Sequence, residues 1–272
     1  MIEALLNYNF LQNAFFSAIL ASIACGIIGT IIIEKQLVMM SGGIAHTAFG
    51  GIGMGYFLGI EPLIGAMTFA ILSALGVRHL QDRTRITPEV VLGMFWALGM
   101  ALGILFISFT PGYPPDITSY LFGDILTVSR LDLIITFLMD LIIVVTIFIF
   151  FNAFKTYLFD EEFAQVVGLP VVLLETLTYV LIALTVVVLI RVVGIMLIIA
   201  LLTAPPSIAR QFTYGLHQTM LLSIALSIAF CLGGLWISYT IDIPSGAAII
   251  VIAIASYFLV SLLNNFTGLS HN

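Results

Sequence analysis

A lone histidine, His46, lies in a stretch of glycine, alanine and methionine that reads MMSGGIAHTAFGG from Met39 to Gly51. An imidazole is a ligand for borderline metal ions, and a neutral imidazole inside a membrane is costly unless it is paired. His46 could therefore hold a passing metal ion, or it could form a hydrogen bond between helices. The residue type alone leaves both interpretations open.

Two carboxylates in apolar surroundings, Asp140 and Glu175, could couple an ion to transport. An acidic side chain near the middle of a membrane is the feature that an ion-coupled secondary transporter would need. Glu175 lies close to the end of its apolar run, and Asp140 has no evident partner in the sequence. The two carboxylates therefore make an ion-coupled secondary transporter one of the functions to be weighed.

Motifs for catalysis are absent from the sequence. Neither Lys35 nor Lys155, its two lysines, follows a glycine, so there is no phosphate-binding GxxxxGK loop, and HExxH and GxSxG are also missing. No basic patch marks a nucleic-acid surface. We therefore expect a protein that is not an enzyme and binds no nucleic acid.

The composition is that of a membrane protein. Only 8% of the 272 residues are charged and 61% are hydrophobic, whereas a soluble domain carries roughly a quarter charged residues. Such a chain cannot cover a surface that faces water, so membrane lipid must surround it. Long apolar runs favour helices over a barrel, because each helix satisfies its own backbone hydrogen bonds in the bilayer. The sequence predicts an all-α, multi-pass protein of the cell membrane, and the absence of catalytic motifs leads us to expect that it moves a solute across that membrane.

Apolar windows of about 20 residues predict a transmembrane bundle of nine helices, with eight also possible, in a single domain over 1–272. The segment Ile117–Ser129 is too short to span and predicts a short external helix that lies on the membrane face or dips into it. The nine windows are Phe10–Ile33, Val38–Leu58, Pro62–Leu80, Glu89–Phe109, Leu131–Phe151, Val172–Ile190, Gly194–Phe212, Thr219–Tyr239 and Pro244–Leu263.

The basic residues predict which side of the membrane each loop faces. Lysine and arginine concentrate in cytoplasmic loops, and nine alternating spans put Arg130 and Arg191 on one side and the other basic residues on the opposite side. The larger group comprises Lys35, Arg78, Arg83, Arg85, Lys155 and Arg210. The N-terminus is then outside and the C-terminus cytoplasmic.

Glycines recur every four residues after His46, at Gly51, Gly55 and Gly59. Small residues at this spacing let transmembrane helices approach closely. The spacing predicts helix packing for these three glycines rather than contact with a ligand.

A short amphipathic helix with an acidic start is predicted in FDEEFAQVVGLP. Asp160 is a good N-cap, and Glu161 and Glu162 complement the positive end of the helix. One apolar face is formed by Phe163, Val166 and Val167. Gly168 and the proline that follows it end the helix. Such a helix could dock on a soluble partner or lie on the bilayer surface.

Two adjacent prolines, Pro205 and Pro206, interrupt the seventh window. Proline donates no backbone hydrogen bond, so carbonyls one turn earlier, near Leu201 and Leu202, are freed. The pair predicts either a fixed kink or a point of flexure.

Four segments in order resemble the permease subunit of the zinc- and manganese-type metal ABC transporters, the ABC-3 family. They are MMSGGIAHTAFGGIGMGYFLG, SYLFGDILTVSRLDL, FDEEFAQVVGLPV and VVGIMLIIALLTAPPSIAR. The second segment is the most specific of the four, and together they cover most of the chain.

This resemblance implies the membrane half of an ATP-driven importer for a divalent transition metal ion, zinc or manganese. The implied partners are two cytoplasmic ABC ATPase subunits that bind ATP, an extracytoplasmic metal-binding protein, and a second permease copy in a homodimer. The segment from Asp160 to Gly168 would dock on the ATPase and couple it to transport. His46 would line the metal pathway, and no permanently bound cofactor is implied.

The sequence departs from the family pattern one helical turn before His46. The family has an aspartate four residues before this histidine, which places carboxylate and imidazole on one helical face, but Gly42 stands there in this chain. Two histidines facing across a dimer, with carbonyls or Met39 and Met40 nearby, could still pass a metal ion. An importer of a metal chelate or another small solute, with a wider pathway that does not depend on His46, is the alternative.

Overall fold

The computed structural model describes residues 8–83, 87–111, 123 and 125–267. All of the regular structure in this part of the chain is helical. In chain order the α-helices are α1 (Asn9–Glu34), α2 (Val38–Leu58), α3 (Pro62–Arg83), α4 (Pro88–Phe109), α5 (Arg130–Ile149), α6 (Phe151–Phe159), α7 (Glu161–Val166), α8 (Val171–Phe212), α9 (Leu216–Ile241) and α10 (Ser245–Thr267).

The longest helix, α8, is broken at Gly194, whose φ of 76° and ψ of 161° are not helical. Its first arm runs antiparallel to α3. Glu175, near the start of this arm, pairs with Arg78 near the end of α3, and Arg191 at the end of the arm pairs with Glu61 just before α3. The first arm therefore crosses the whole bundle.

The second arm of α8 returns in the opposite direction. Arg210, near its end, lies 3.5 Å from the carboxylate of Glu34 at the end of α1. We call the end of the bundle that carries Glu34 and Lys35 the Lys35 end, and the opposite end the Glu61 end. Since α8 crosses twice, the eight long helices make nine passages, as the nine windows predict.

Seven of the described helices are long and apolar enough to cross a membrane, with both arms of α8 counted as one. The helix α2 is not among them, because its many glycines and His46 lower its hydropathy. Large apolar side chains on α4, α5 and α10 are exposed, among them Phe109, Phe148 and Phe258. Exposed apolar surface of this kind suits contact with lipid tails.

The predicted external helix over Ile117–Ser129 lies mostly outside the described residues. The described remainder contains one 3-10 turn, Ile125–Thr127, and then Ser129, which caps α5. The Ser129 side chain accepts a hydrogen bond from the Asp132 backbone N–H, and the Asp132 carboxylate accepts one from the Ser129 N–H. This reciprocal capping box fixes the start of α5.

The backbone stays helical through Pro205 and Pro206, because Gly194 is the only residue inside α8 with non-helical dihedral angles. The chain reverses direction at Gly194, and the two prolines lie inside the second arm of α8. The carbonyl of Leu202, one turn before Pro206, faces α1, where a Cβ added to Gly29 would lie 2.7 Å from its oxygen. The prolines thus leave a carbonyl against a bare backbone rather than break the helix.

A candidate metal pathway and a coupling surface

His46 lies on α2 and is buried, with 4% of its surface exposed. Its ring stacks on the indole of Trp96 with ring centroids 4.1 Å apart and an angle of 10° between the planes. Its Nδ1 lies 3.4 Å from the Sδ atom of Met100. The imidazole is therefore held from two sides by side chains of α4.

Close contact between bare backbones brings α2 and α4 together at this point. A Cβ on Gly50 would lie 2.7 Å from the carbonyl oxygen of Gly99, and a Cβ on Gly99 would lie 2.5 Å from the Cα of Thr47. The Thr47 hydroxyl donates to the Gly43 carbonyl and also lies 3.1 Å from the Phe95 carbonyl. This contact places the α4 side chains over His46.

Trp96 and Met100 are functional candidates that the sequence analysis missed. They are four residues apart on α4, so they lie on one helical face. The available signal was a tryptophan in the middle of an apolar run, since an indole N–H in a bundle calls for a polar surrounding. The local pattern does not show that this face meets His46.

The contact between His46 and Met100 brings together two atoms that can bind a metal ion, an imidazole nitrogen and a thioether sulfur. Within the described ranges there is no group of three histidine, cysteine, aspartate or glutamate side chains that could hold a metal ion. The two methionines considered from sequence differ in exposure, since Met40 is buried and Met39 is 49% exposed. One chain therefore offers an incomplete set of ligands.

Gly42 leaves room for a side chain one turn before His46. A Cβ there would lie 3.7 Å from Cζ3 of Trp96 and 3.9 Å from Cδ1 of Ile199, which are ordinary contact distances. Lack of space for a Cβ therefore does not explain why this chain has glycine where the family has aspartate.

Gly51 and Gly55 face α3 at close range, but Gly59 does not. Gly51 lies against the carbonyl of Gly65, and a Cβ on Gly55 would lie 2.7 Å from the Cα of Pro62. Gly59 is the C-cap of α2 with a φ of 67°, and no atom lies within 4 Å of a Cβ built on it. The packing role predicted for Gly59 is wrong, because the helix ends there and turns in the left-handed conformation.

The helix α7 presents acidic and apolar side chains at the Lys35 end of the bundle. The Asp160 carboxylate accepts a hydrogen bond from the Phe163 backbone N–H at 2.8 Å and so caps the helix. Glu162 and Gly168 are exposed, and Gly168 has a φ of 83° with open space around it. The exposed apolar side chains are Phe163, Val166 and Val167. Apolar side chains in the open on a capped helix are typical of a docking surface.

The two carboxylates considered for ion coupling differ in their surroundings. Glu175 is engaged by Arg78 Nε at 3.4 Å and by the Tyr179 hydroxyl at 3.2 Å, so it forms part of an ion-pair cluster at the Lys35 end. Asp140 is buried in α5, and its Oδ2 has no hydrogen-bond partner among the described residues.

A family model described as "ABC 3 transport family" matches residues 7–264. The chain belongs to the ABC 3 transport family. The ABC-3 resemblance found in the four sequence segments is thereby confirmed. Seven membrane-length helices and this membership make the chain a multi-pass membrane permease.

Similar proteins cover nearly the whole chain. It is 41% identical over 262 residues to an uncharacterized membrane protein of Synechocystis sp., covering 95% of this chain and 93% of the relative. It is 32% identical over 251 residues to the manganese transport system membrane protein MntC of Halalkalibacterium halodurans, covering 92% and 86%. The solved structure of PsaBC from Streptococcus pneumoniae in complex with Fab superposes with a TM-score of 0.86 at 32% identity, covering 96% of this chain and 93% of that chain. The permease fold is therefore shared along the chain.

Proposed function

We propose that the ABC 3 permease described here is the membrane subunit of an ATP-driven importer for a divalent transition metal ion, with manganese as the first candidate and zinc as the second. The observation that carries the proposal is the 32% identity to a protein named as a manganese transport membrane protein, which covers 92% of this chain. Hydrolysis of ATP is assigned to a separate subunit, so this subunit itself catalyses no reaction.

The proposed pathway passes His46, because its imidazole lies in the glycine-rich contact between α2 and α4. A nitrogen and a thioether suit a borderline ion better than manganese, which prefers oxygen ligands and water. Manganese would therefore keep most of its water or carbonyl ligands and be held weakly by one imidazole. Weak binding serves transport, since an ion must leave its site as readily as it enters.

A second copy of the chain would complete what one chain lacks. Two copies bring two His46 side chains and two Met100 side chains, which is enough for a transient site of mixed nitrogen and sulfur ligands. We therefore propose a homodimer that works with two ATPase subunits and an extracytoplasmic metal-binding protein. The transported ion is the cargo of this assembly.

The coupling surface of the permease is the segment from Asp160 to Gly168. Its support is the exposure of Val166, of which 85% is open in this chain, next to the exposed Phe163 and Val167. A groove on an ATPase subunit would cover these side chains. Glu162 and Gly168 would lie at the edges of the contact. The whole chain forms one membrane domain in this proposal, with the Lys35 end in the cytoplasm. The N-terminus is then outside and the C-terminus is cytoplasmic.

Metal uptake into vesicles tests the substrate and the pathway together. Vesicles carrying this chain, its ATPase and its binding protein would be loaded with ATP and compared across manganese, zinc, iron and cobalt, with wild type beside His46→Ala. We expect ATP-dependent uptake of manganese that the variant loses. Uptake that does not respond to His46→Ala would contradict the pathway and favour the wider pathway of a chelate importer. Uptake by the chain alone would contradict the ABC mechanism.

A further inference from the structure

The turn between α1 and α2 is short and is held by backbone hydrogen bonds. Lys35 is the C-cap of α1, Gln36 has a φ of 58°, and α2 begins at Val38. The Leu37 backbone N–H donates to the Ile32 carbonyl at 2.8 Å, which ties the turn back to α1. The Leu37 carbonyl in turn accepts from the backbone N–H groups of Met40 and Ser41 in the first turn of α2. A displacement of Lys35 is therefore passed to the start of α2.

The side chain of Lys35 contacts both α6 and the coupling surface that follows it. Its Nζ lies 2.8 Å from Oε2 of Glu161 on α7. The same Nζ lies 3.7 Å from the centre of the Tyr157 ring on α6. A carboxylate and an aromatic face both attract an ammonium group, so the two contacts hold Lys35 in one place.

Tyr157 provides a buried, neutral aromatic ring for the contact with Lys35. It is buried, and burial raises the pKa of its phenol above the usual value, with the nearby carboxylates of Glu175 and Glu161 adding to the effect. The ring therefore stays neutral and its face stays available to Lys35. Glu175 is itself paired with Arg78 of α3. The charged groups around Tyr157 therefore belong to α3, to α7, to α8 and to the end of α1.

We propose that Lys35 is the residue through which movement of the coupling helix α7 reaches α2, by way of its ion pair with Glu161. The inference rests on the proposed function, since it takes α7 to be the part that an ATPase subunit moves. The Glu161 carboxylate contacts Lys35 while half of that side chain stays exposed, and Phe163 and Val166 of α7 are exposed. His46 lies on α2, eight residues after its first residue. A shift at Lys35 would thus be felt at the metal pathway.

The chain offers a matched control for this proposal, because it has two lysines. Lys155 lies on α6 two residues before Tyr157, and it is exposed. The experiment would use the full assembly of permease and ATPase in lipid vesicles, with Lys35→Met, Glu161→Gln and Lys155→Met. A further variant, Lys35→Arg, keeps the positive charge, and a guanidinium can also pair with a carboxylate and stack on an aromatic ring.

The measured quantity is metal uptake per ATP hydrolysed. Lys35→Met and Glu161→Gln should each lower this ratio at least about fivefold while ATP hydrolysis continues, and Lys155→Met and Lys35→Arg should stay near wild type. The double variant Lys35→Met/Glu161→Gln should be no worse than either single variant, since both remove one link. Losses that multiply, or a ratio unchanged by Lys35→Met, would overturn the relay.

A second readout does not depend on the cargo. Met39, at the start of α2, is exposed, and Met39→Cys can be labelled with a maleimide before and after ATP with vanadate is added. We expect ATP to change the labelling rate, and Lys35→Met, but not Lys155→Met, to abolish that change. A change that survives Lys35→Met contradicts the relay. Absence of metal uptake in the wild type would instead count against the proposed function, and the labelling result would still decide the relay.

Discussion

The imidazole of His46 lies flat on the indole of Trp96, with ring centroids 4.1 Å apart. This contact joins α2, which carries the residue that the sequence singles out, to α4, whose side chains the sequence does not single out. Trp96 touches the proposed ligand rather than the ion. It is therefore a positioning residue in this account.

Trp96→Ala should weaken the proposed metal site by removing the surface on which His46 rests. Loss of such support for a metal ligand costs about tenfold or more in affinity, so we expect the apparent KM for metal uptake to rise about tenfold with little change in ATP hydrolysis. Trp96→Phe should retain part of the stacking and lie between the two. The control is Trp236→Phe, since Trp236 is exposed on α9. An unchanged KM in Trp96→Ala would show that the stacking does not position a ligand.

Gly42→Asp should restore the carboxylate and imidazole pair of the family and be accommodated near Trp96. The added carboxylate contributes a hard oxygen ligand on the face of His46, so we expect metal affinity of the purified permease to rise about tenfold, near 1.4 kcal/mol. Titration with manganese and with zinc measures it. Gly42→Asn is the control of equal size without the charge. Equal affinities in the two variants would mean that position 42 does not face the metal.

Gly51→Ala should destabilise the bundle because its methyl group would meet the Gly65 carbonyl. Forcing extra volume into a packed contact costs about 1–3 kcal/mol, which we expect to lower the apparent midpoint of thermal unfolding in detergent by several degrees. Gly93→Ala is the control, since no atom lies within 4 Å of a Cβ there. If both variants melt alike, the closeness of α2 and α3 does not limit stability.

Arg191 holds the Glu61 end of the bundle together, with Nη1 2.6 Å from Glu61 and Nε 2.9 Å from Asp132. Arg191→Met leaves the nearly buried Asp132 without its cation, which we expect to cost about 1–3 kcal/mol. Thermal unfolding at low and high salt measures the loss. Arg130→Met is the control, because Arg130 is exposed at the start of α5. A midpoint that Arg130→Met lowers as much as Arg191→Met would contradict a specific clamp.

The spans could be predicted from sequence because a bilayer imposes them. A run of about 20 apolar residues must become a helix there, and the window Val38–Leu58 coincides with α2. The windows also predict the reversal inside α8, since one window ends at Ile190 and the next begins at Gly194, the residue where the helix is broken. These predictions were possible because the bilayer requires each apolar window to form a helix, whatever the distant parts of the chain do.

Contacts between distant helices could not be predicted in the same way. Met100 is 54 residues from His46 along the chain, and the two meet only because Gly50 and Gly99 let α2 and α4 approach. Spacing alone also failed at Gly59, because a repeat of four does not show where a helix stops. The sequence likewise does not show that the backbone keeps helical dihedral angles through Pro205 and Pro206.

The most direct test of the whole account is the ATP dependence of manganese uptake in vesicles that contain the permease and its ATPase, with the binding protein supplied outside. ATP should drive uptake that a non-hydrolysable analogue does not support, and Glu162→Arg, which reverses a charge on the exposed side of α7, should abolish uptake while leaving the purified permease folded. Uptake that proceeds without ATP, or that Glu162→Arg leaves at the wild-type rate, would contradict an ABC permease driven through α7.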